Sequence, residues 1–171
     1  GSIVDVLSAA DSACYVAKDL GRKRVHIYQP NDDALERRHG EMQWVQRIND
    51  GLEGNRFQLY GQHMIPLAAG APTFCEILLR LHEEGPGLIP PNAFIPAAER
   101  YYLMPSIDRW VVARALAMIG RNRWSEGTSD QPMMYAINLS GQSLCDDQFL
   151  DFVVSHLQES GIPPARICFE I

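Results

Sequence analysis

The alternation of apolar and polar residues divides the chain near residue 30 and predicts different structures on the two sides. Before this point, residues 3–20 carry small and apolar residues at helical spacing, and the alternating segment 24–28 predicts a short strand. A second helix is predicted over about 33–52, with a polar first half and apolar positions in its second half. That distribution is typical of a linker helix that packs against a domain only at its far end.

After Arg56, strand and helix patterns alternate. Two strands come first, over 57–67 and 73–81, and the short turn 68–72 between them predicts an antiparallel hairpin. The later predicted elements are a helix over 92–101, a helix over 106–122, a strand over 133–140, a helix over 146–159 and a strand over 166–171. This order predicts an α/β fold with a largely parallel sheet.

The spacing of the later strands predicts part of a barrel. Asn138 and Glu170 lie near the ends of successive strands, separated by about one strand–helix unit, which takes roughly 30 residues in a (β/α)₈ barrel. A complete barrel needs about 250 residues, more than the 171 residues of this chain. We therefore expect a partial (β/α)₈ TIM-type barrel whose first strand is antiparallel.

Three polar residues interrupt strand segments that are otherwise apolar: Glu76, Asn138 and Glu170. Burying a carboxylate or an amide without a partner is costly, so each of the three requires an explanation. On successive strands, their oxygens could together bind a hard divalent cation. In a (β/α)₈ barrel the active site lies at the carboxyl ends of the strands, where such residues would meet.

Composition excludes some classes of partner. The formal net charge of −6 gives no support for a broad basic face that binds a nucleic-acid polymer. The four cysteines are widely separated, and three of them lie in apolar segments, which predicts buried thiols in a reduced, cytoplasmic protein. No apolar segment approaches the roughly 20 residues that cross a bilayer. Any membrane anchor is therefore expected in parts of a parent protein outside this chain.

Six segments occur in the order in which they are found in EAL domains. They are F-Q-L-Y-G-Q (57–62), E-I-L-L-R (76–80), G-L-I-P-P-N-A-F-I-P-A-A-E (87–99), I-D-R-W-V-V (107–112), I-N-L-S (137–140) and I-C-F-E-I (167–171). The chain thus resembles an EAL domain, a (β/α)₈-type phosphodiesterase that cleaves the bacterial second messenger cyclic di-GMP. The upstream run 9–28 resembles the closing helix and strand of a GGDEF domain, the diguanylate cyclase fold.

The resemblance implies a domain order that is common in proteins of cyclic di-GMP signalling. Residues 1–30 would be the C-terminal tail of a GGDEF domain, 31–52 a linker helix, and 53–171 the N-terminal half of an EAL domain. The family's paired aspartates, the lysine that helps to activate water and a later glutamate would all lie beyond Ile171. We therefore expect no general base within the chain, an active parent protein and an inactive isolated fragment.

The resemblance also assigns a metal site. Glu76 matches the first residue of the EAL signature and would bind Mg²⁺ or Mn²⁺ directly, with Asn138 and Glu170 as further ligands. Other interpretations stay open. Glu76 and Arg80 could form an ion pair at a domain surface, Asn138 could be an ordinary turn residue, and Glu170 could be a frayed terminal residue.

Three further residues would contact the substrate. Arg80 lies four residues after Glu76, so both face the same side of a strand, and its guanidinium could bind a phosphate or a guanine edge. Gln62 matches the glutamine of the family's first strand, and Asp108 matches an acidic position implicated in ligand contact. For Gln62 and Asp108, structural hydrogen bonding is the alternative.

Two functions follow from the resemblance. The first is metal-dependent hydrolysis of cyclic di-GMP to linear pGpG, for which water attacks a phosphate in line. The second is a non-catalytic receptor or regulatory module that keeps the fold and binds the nucleotide or a protein partner. Either form is expected to associate as a homodimer through the EAL domain or by pairing of two fragments.

Overall fold

The chain was analysed as a computed structural model, and the description covers only part of it. It describes residues 3, 6–7, 9–10, 13–14, 17, 23, 25–27, 33–68, 71–82, 87–121 and 133–171, without the side chains of 33–41. The chain divides into two compact units, Gly1–Trp44 and Val45–Ile171. None of the helices within the described ranges combines the length and apolar character needed to cross a bilayer. The cytoplasmic location inferred from composition stays a prediction.

The first unit confirms one predicted element and corrects another. Within the predicted helix 3–20, the described residues are helical: 3, 6–7, 9–10, 13–14 and 17. The predicted strand 24–28 is wrong over 25–27, because these residues adopt neither helix nor strand. A short strand needs a pairing partner to be stable, and the alternation in the sequence does not reveal whether one is present. The other residues of both segments lie outside the described residues, so the predicted GGDEF tail stays a prediction.

A long helix, α1, spans Asp33–Glu53 and confirms the helix predicted over 33–52. In the second unit its end packs closely against the sheet, since Ile48 is fully buried. Gly51 permits this approach, because a Cβ at this position would lie only 2.8 Å from Cδ1 of Leu81.

Strands and helices alternate through the rest of the second unit. They are β1 (Phe57–Met64), β2 (Phe74–His82), β3 (Leu88–Ile89), α2 (Pro91–Arg100), α3 (Met104–Gly120), β4 (Met134–Asn138), α4 (Gly141–Leu144), α5 (Phe149–Ser160), a 3₁₀ turn (Pro164–Arg166) and β5 (Ile167–Glu170). Most of these bounds agree with the predicted elements to within a few residues.

The described strands form one mixed sheet in the order β1-β2-β4-β5, with β3 paired to the end of β2. β1 and β2 are antiparallel, whereas β2 pairs with β4 and β4 with β5 in parallel. This topology confirms the α/β fold, the antiparallel opening pair and the partial barrel.

Two short elements were missed by the sequence analysis. Strand β3 lies between the predicted strand 73–81 and the predicted helix 92–101, and its two residues pair with Leu81 and His82. Helix α4 lies directly after β4, where no element was predicted, and α5 begins at Phe149, three residues later than expected. Asp146 accepts a hydrogen bond from the backbone N–H of Gln148 just before this helix.

The core lies between one face of the sheet and helices α2 and α3. Alternate residues of β2 are buried on this face: Cys75, Ile77 and Leu81. On α3, Ile107, Val111 and Ala115 are buried, whereas Trp110 and Met118 are half-buried. Trp110 still contributes to the core, since its ring lies 5.7 Å from that of Phe57 at the start of β1.

Candidate active site

The face of β2 opposite the core carries the first candidate residues. Side chains of a strand alternate between its two faces, so Glu76, Leu78 and Arg80 project away from the buried Cys75 and Ile77. All three are partly exposed.

The antiparallel pairing brings Gln62 to the same place. Gln62 of β1 lies directly opposite Glu76 of β2 in the register. Opposite residues of an antiparallel pair project to the same face, with their Cβ atoms about 5 Å apart. The structure therefore places Gln62 next to Glu76 on the same face of the sheet.

Asn138 is joined directly to Glu76. Its Nδ2 donates a hydrogen bond to Oε1 of Glu76 at 2.9 Å, across 62 positions of sequence. Because Nδ2 makes this bond, Oδ1 of Asn138 and the second carboxylate oxygen of Glu76 are the atoms left for a ligand. Asn138 thus does more than a turn residue, since it links two parallel strands at the carboxyl end of β4.

Glu170 occupies the matching position on β5. Asn138 and Glu170 are partners in the parallel register, so their side chains project to the same face of the sheet. The backbone N–H of Leu139 donates to the carbonyl oxygen of Glu170 at 2.8 Å and extends the ladder past Asn138. This bond holds the backbone of Glu170, which is therefore not frayed.

The three candidate metal ligands are of the chemical types that bind a hard divalent cation. Two carboxylates and one amide oxygen are the ligand types that Mg²⁺ and Mn²⁺ accept in proteins. Within the described ranges, no group of three His, Cys, Asp or Glu residues lies close enough to bind a metal. The candidate centre therefore depends on the amide of Asn138 as well as on Glu76 and Glu170.

Arg80 faces the same side as Glu76 but has another partner. Its Nη1 donates to the backbone oxygen of Leu79 at 2.7 Å. No ion pair joins Arg80 to Glu76 in the described part of the chain. The interpretation of these residues as a surface ion pair is therefore not supported, and the rest of the guanidinium is available to a ligand.

Asp108 is buried, with 3% of its surface exposed. Its Oδ2 accepts three hydrogen bonds, from the N–H and the hydroxyl of Ser140 and from the hydroxyl of Ser143. One oxygen of Asp108 thus makes the structural hydrogen bonds that the sequence left as an alternative to ligand contact.

A cavity of about 300 Å³ adjoins Asp108 and Asn138. Most of its lining is apolar and comes from β2, α2 and α3, and Glu99 and Ser140 add polar groups. Beside it, Nε2 of Gln142 donates to the backbone oxygen of Glu99 at 2.6 Å and ties α4 to the end of α2.

Sequence reasoning missed Ser140, Gln142 and Ser143. Ser140 is the N-cap of α4, and its side chain accepts a hydrogen bond from the backbone N–H of Ser143. A serine three residues before a second polar residue is a known helix-start pattern. The four-residue helix that follows is too short to show any apolar periodicity, so the pattern gave no prediction here.

Comparison with known proteins identifies what the site resembles. A family model of the EAL domain matches residues 45–171. The chain is 35% identical over 170 residues to the cyclic di-GMP phosphodiesterase PdeB of Shewanella oneidensis, covering 98% of this chain and 19% of that protein. It is 31% identical to the biofilm architecture maintenance protein MbaA of Vibrio cholerae, covering 99% of this chain and 21% of that protein. It thus spans about a fifth of the length of these relatives.

Solved structures give the same picture. The FimX EAL domain from Pseudomonas aeruginosa bound to c-di-GMP superposes with a TM-score of 0.64 at 27% identity, over 74% of this chain and 48% of that chain. The c-di-GMP complex of the PaMucR phosphodiesterase gives a TM-score of 0.65 at 26% identity, over 75% and 51% of the two chains. The resemblance drawn from the six segments is confirmed.

Proposed function

Because the chain belongs to the EAL domain family, we propose that the protein carrying it hydrolyses cyclic di-GMP to linear pGpG with Mg²⁺ or Mn²⁺. The hydrogen bond of 2.9 Å between Asn138 and Glu76 carries this proposal. It joins the carboxyl end of β4 to β2 on the face to which Glu170 also projects. Three oxygen-bearing side chains on three strands therefore project to the same face of the sheet, which supports a shared metal site.

In this proposal Glu76, Asn138 and Glu170 hold the metal ion. When bound, the ion neutralises charge on the phosphate and lowers the pKa of water. The three side chains orient the site: the Glu76 carboxylate is fixed by the amide of Asn138, and the backbone after Asn138 is fixed to Glu170. No residue of this chain is assigned as the general base.

The remaining candidates bind the substrate. Arg80 supplies a guanidinium suited to a phosphate oxygen, and Gln62 supplies an amide beside Glu76. The cavity next to Asn138 offers apolar walls to a planar base, with Asp108 at its edge. Because Oδ2 of Asp108 accepts all three serine hydrogen bonds, its other oxygen is the one that a base N–H would reach. Water then attacks phosphorus in line, the bond to the 3′ oxygen breaks, and that oxygen takes a proton.

We also propose the domain order of a tandem signalling protein. The resemblance of residues 9–28 to the end of a GGDEF domain supports a cyclase-like domain before the EAL domain. The helical state of the described residues of the first segment agrees with this assignment. Association as a homodimer through the EAL domain is part of the same proposal.

A non-catalytic receptor is the second candidate, and one observation favours it. The Glu76 carboxylate already has a hydrogen-bond partner within the chain, so the site is partly satisfied without a cation. A receptor would need only Arg80, Gln62 and the cavity to bind cyclic di-GMP. Binding without turnover distinguishes this function from hydrolysis.

The test measures cleavage of cyclic di-GMP by the purified full-length protein with Mn²⁺, and binding by calorimetry. Glu76→Ala should lower the rate at least about 100-fold, since losing a direct ligand should cost no less than losing a supporting residue. Glu159→Ala is the matched control, because it removes an exposed glutamate from α5 and should leave the rate unchanged. Binding by the wild type without cleavage would support the receptor. Absence of both binding and cleavage would reject both functions.

A further inference from the structure

A group of two serines and an aspartate fixes the turn that follows β4. We propose that Ser140 and Ser143, acting with Asp108, are positioning residues that hold Asn138 in place for the metal ion. The three residues are called the serine clamp below. This inference rests on the metal-dependent function proposed above.

In the serine clamp, neutral hydrogen-bond donors surround one oxygen of the Asp108 carboxylate. The Ser140 and Ser143 hydroxyls each lie 2.6 Å from Oδ2 of Asp108, and the Ser140 backbone nitrogen lies 2.9 Å from it. Hydrogen bonds from hydroxyls to a carboxylate are shorter and stronger than those between neutral groups. The two hydroxyl oxygens also lie 3.2 Å apart.

Burial makes these contacts necessary. Ser143 is 0% exposed and Asp108 is 3% exposed. A buried carboxylate must be paired or hydrogen-bonded, and within the described ranges no cationic side chain forms an ion pair with Asp108. The neighbouring Arg109 is engaged with Asp146 instead. The serine clamp thus provides the contacts that keep this charge inside the protein.

The serine clamp reaches Asn138 through the backbone. After Asn138, the N–H of Leu139 donates to the oxygen of Glu170 on β5, and the N–H of Ser140 donates to Asp108 on α3. Two consecutive backbone groups are therefore anchored on different elements. These two bonds fix the direction in which the chain leaves β4. They thereby also restrict the position of the Asn138 amide.

Two substitutions separate positioning from ligand contact. Ser143→Ala removes one hydroxyl and keeps the charge and the outer oxygen of Asp108. Asp108→Asn does the reverse: three donors converge on one oxygen, so the amide must place its oxygen there and turn its NH₂ outward. The asparagine variant keeps the serine clamp but replaces an acceptor by a donor at the cavity.

The experiment measures Mn²⁺ affinity of the full-length protein without nucleotide, from the electron paramagnetic resonance signal of free Mn²⁺. Ser143→Ala should weaken binding about 10-fold, the lower end for a residue that supports a ligand. Ser140→Ala should act in the same direction, which keeps the test valid if Ser143→Ala fails to fold. Asp108→Asn should weaken Mn²⁺ binding less than Ser143→Ala does, because it keeps the three hydrogen bonds and loses only their charge.

Ser160→Ala is the matched control. Its hydroxyl donates to the oxygen of Leu157 at 2.7 Å and accepts from the N–H of Ile162, so it also loses two hydrogen bonds, but at the end of α5. It should lower stability and leave Mn²⁺ affinity unchanged. If Ser143→Ala and Ser140→Ala lower stability but bind Mn²⁺ as the wild type does, the inference is overturned.

Amide hydrogen exchange separates this inference from the proposed function. If the wild type binds no Mn²⁺, the metal-dependent function fails. The serine clamp is then judged by exchange at Leu139 and Ser140, whose N–H groups are both bonded. Faster exchange there in Ser143→Ala than in Ser160→Ala supports the positioning role, and equal exchange overturns it.

Discussion

Asp108 and Arg109 are neighbours on α3, but their charges are stabilised by different kinds of contact. Asp108 is buried, and its hydrogen-bond partners among the described residues are neutral donors of the turn after β4. The Arg109 side chain is 30% exposed, and its Nη2 lies 2.6 Å from Oδ2 of Asp146. Its guanidinium also lies 4.8 Å from the ring centre of Phe152. Successive helix residues point about 100° apart, so one helix serves both arrangements.

The difference shows which charge the candidate site depends on. When a buried carboxylate loses its hydrogen-bond donors, or when the donors lose the carboxylate, unsatisfied polar groups remain in the interior. Their desolvation penalty then lowers the free energy of unfolding in full. A partly exposed ion pair over aromatic rings is screened by water and contributes little. Asp108 therefore fixes the turn after β4, which in our proposal positions the candidate metal site, whereas Arg109 mainly ties α3 to the segment that leads into α5.

The largest effect is expected for Asp108→Ala. It removes the acceptor of three hydrogen bonds, and the contact of 3.2 Å between the two hydroxyls can satisfy only one of the freed donors, so the free energy of unfolding should fall by about 3 kcal/mol or more. Asp147→Ala, at an exposed position after α4, is the control and should change stability little. Urea denaturation monitored by circular dichroism measures both. Equal losses for the two variants would remove the distinction drawn here.

A smaller effect is expected for Arg109→Met, which keeps an apolar stem against the rings of Phe149 and Phe152. Loss of the ion pair and of the cation–π contact should cost about 1 kcal/mol. Arg114→Met at an exposed position of the same helix provides the comparison in urea denaturation. A loss as large as that of Asp108→Ala would show that Arg109 is the more important anchor.

The smallest effect is expected in the loss of stability at acidic pH. The hydrogen bond from Arg109, and after it the backbone N–H of Gln148, lower the pKa of Asp146 below its ordinary value of 3.8. A carboxyl with a lowered folded pKa contributes stability above its unfolded pKa and loses it as pH falls through the folded value. Asp146→Asn should therefore lose less stability than the wild type between pH 5 and pH 2, measured by urea midpoints. The same acid loss in both proteins would contradict this assignment.

The sequence predicted which strand face carries the candidate residues, but not the hydrogen bonds that hold these residues in place. Period-two alternation in β2 correctly placed Glu76 and Arg80 on one side, and the short turn correctly predicted the antiparallel hairpin, whereas Gln62 was assigned from the family resemblance. The first two inferences needed only local pattern. The bonds from Ser140 to Asp108 link positions 32 residues apart, and no periodicity records such a contact.

Elements without a repeat were missed for the same reason. β3 has two residues and α4 has four, which is less than one period of any reliable signal. The strand predicted over 24–28 shows the opposite error, because five alternating residues satisfied the pattern while residues 25–27 form no strand. Pattern alone does not reveal whether a strand has a partner.

The separation of 62 positions between Glu76 and Asn138 has a consequence for the order of folding. Closing a long loop costs more entropy than closing the short turn between β1 and β2, and non-local pairs are expected to form late. The β1–β2 hairpin should thus be present in the folding transition state, and the pairing of β2 with β4 should form after it. On this order, substitutions in the hairpin slow folding, whereas substitutions at Asn138 chiefly speed unfolding. The strand pairing that carries the candidate metal site would then be the last part of the described sheet to form and the first to open.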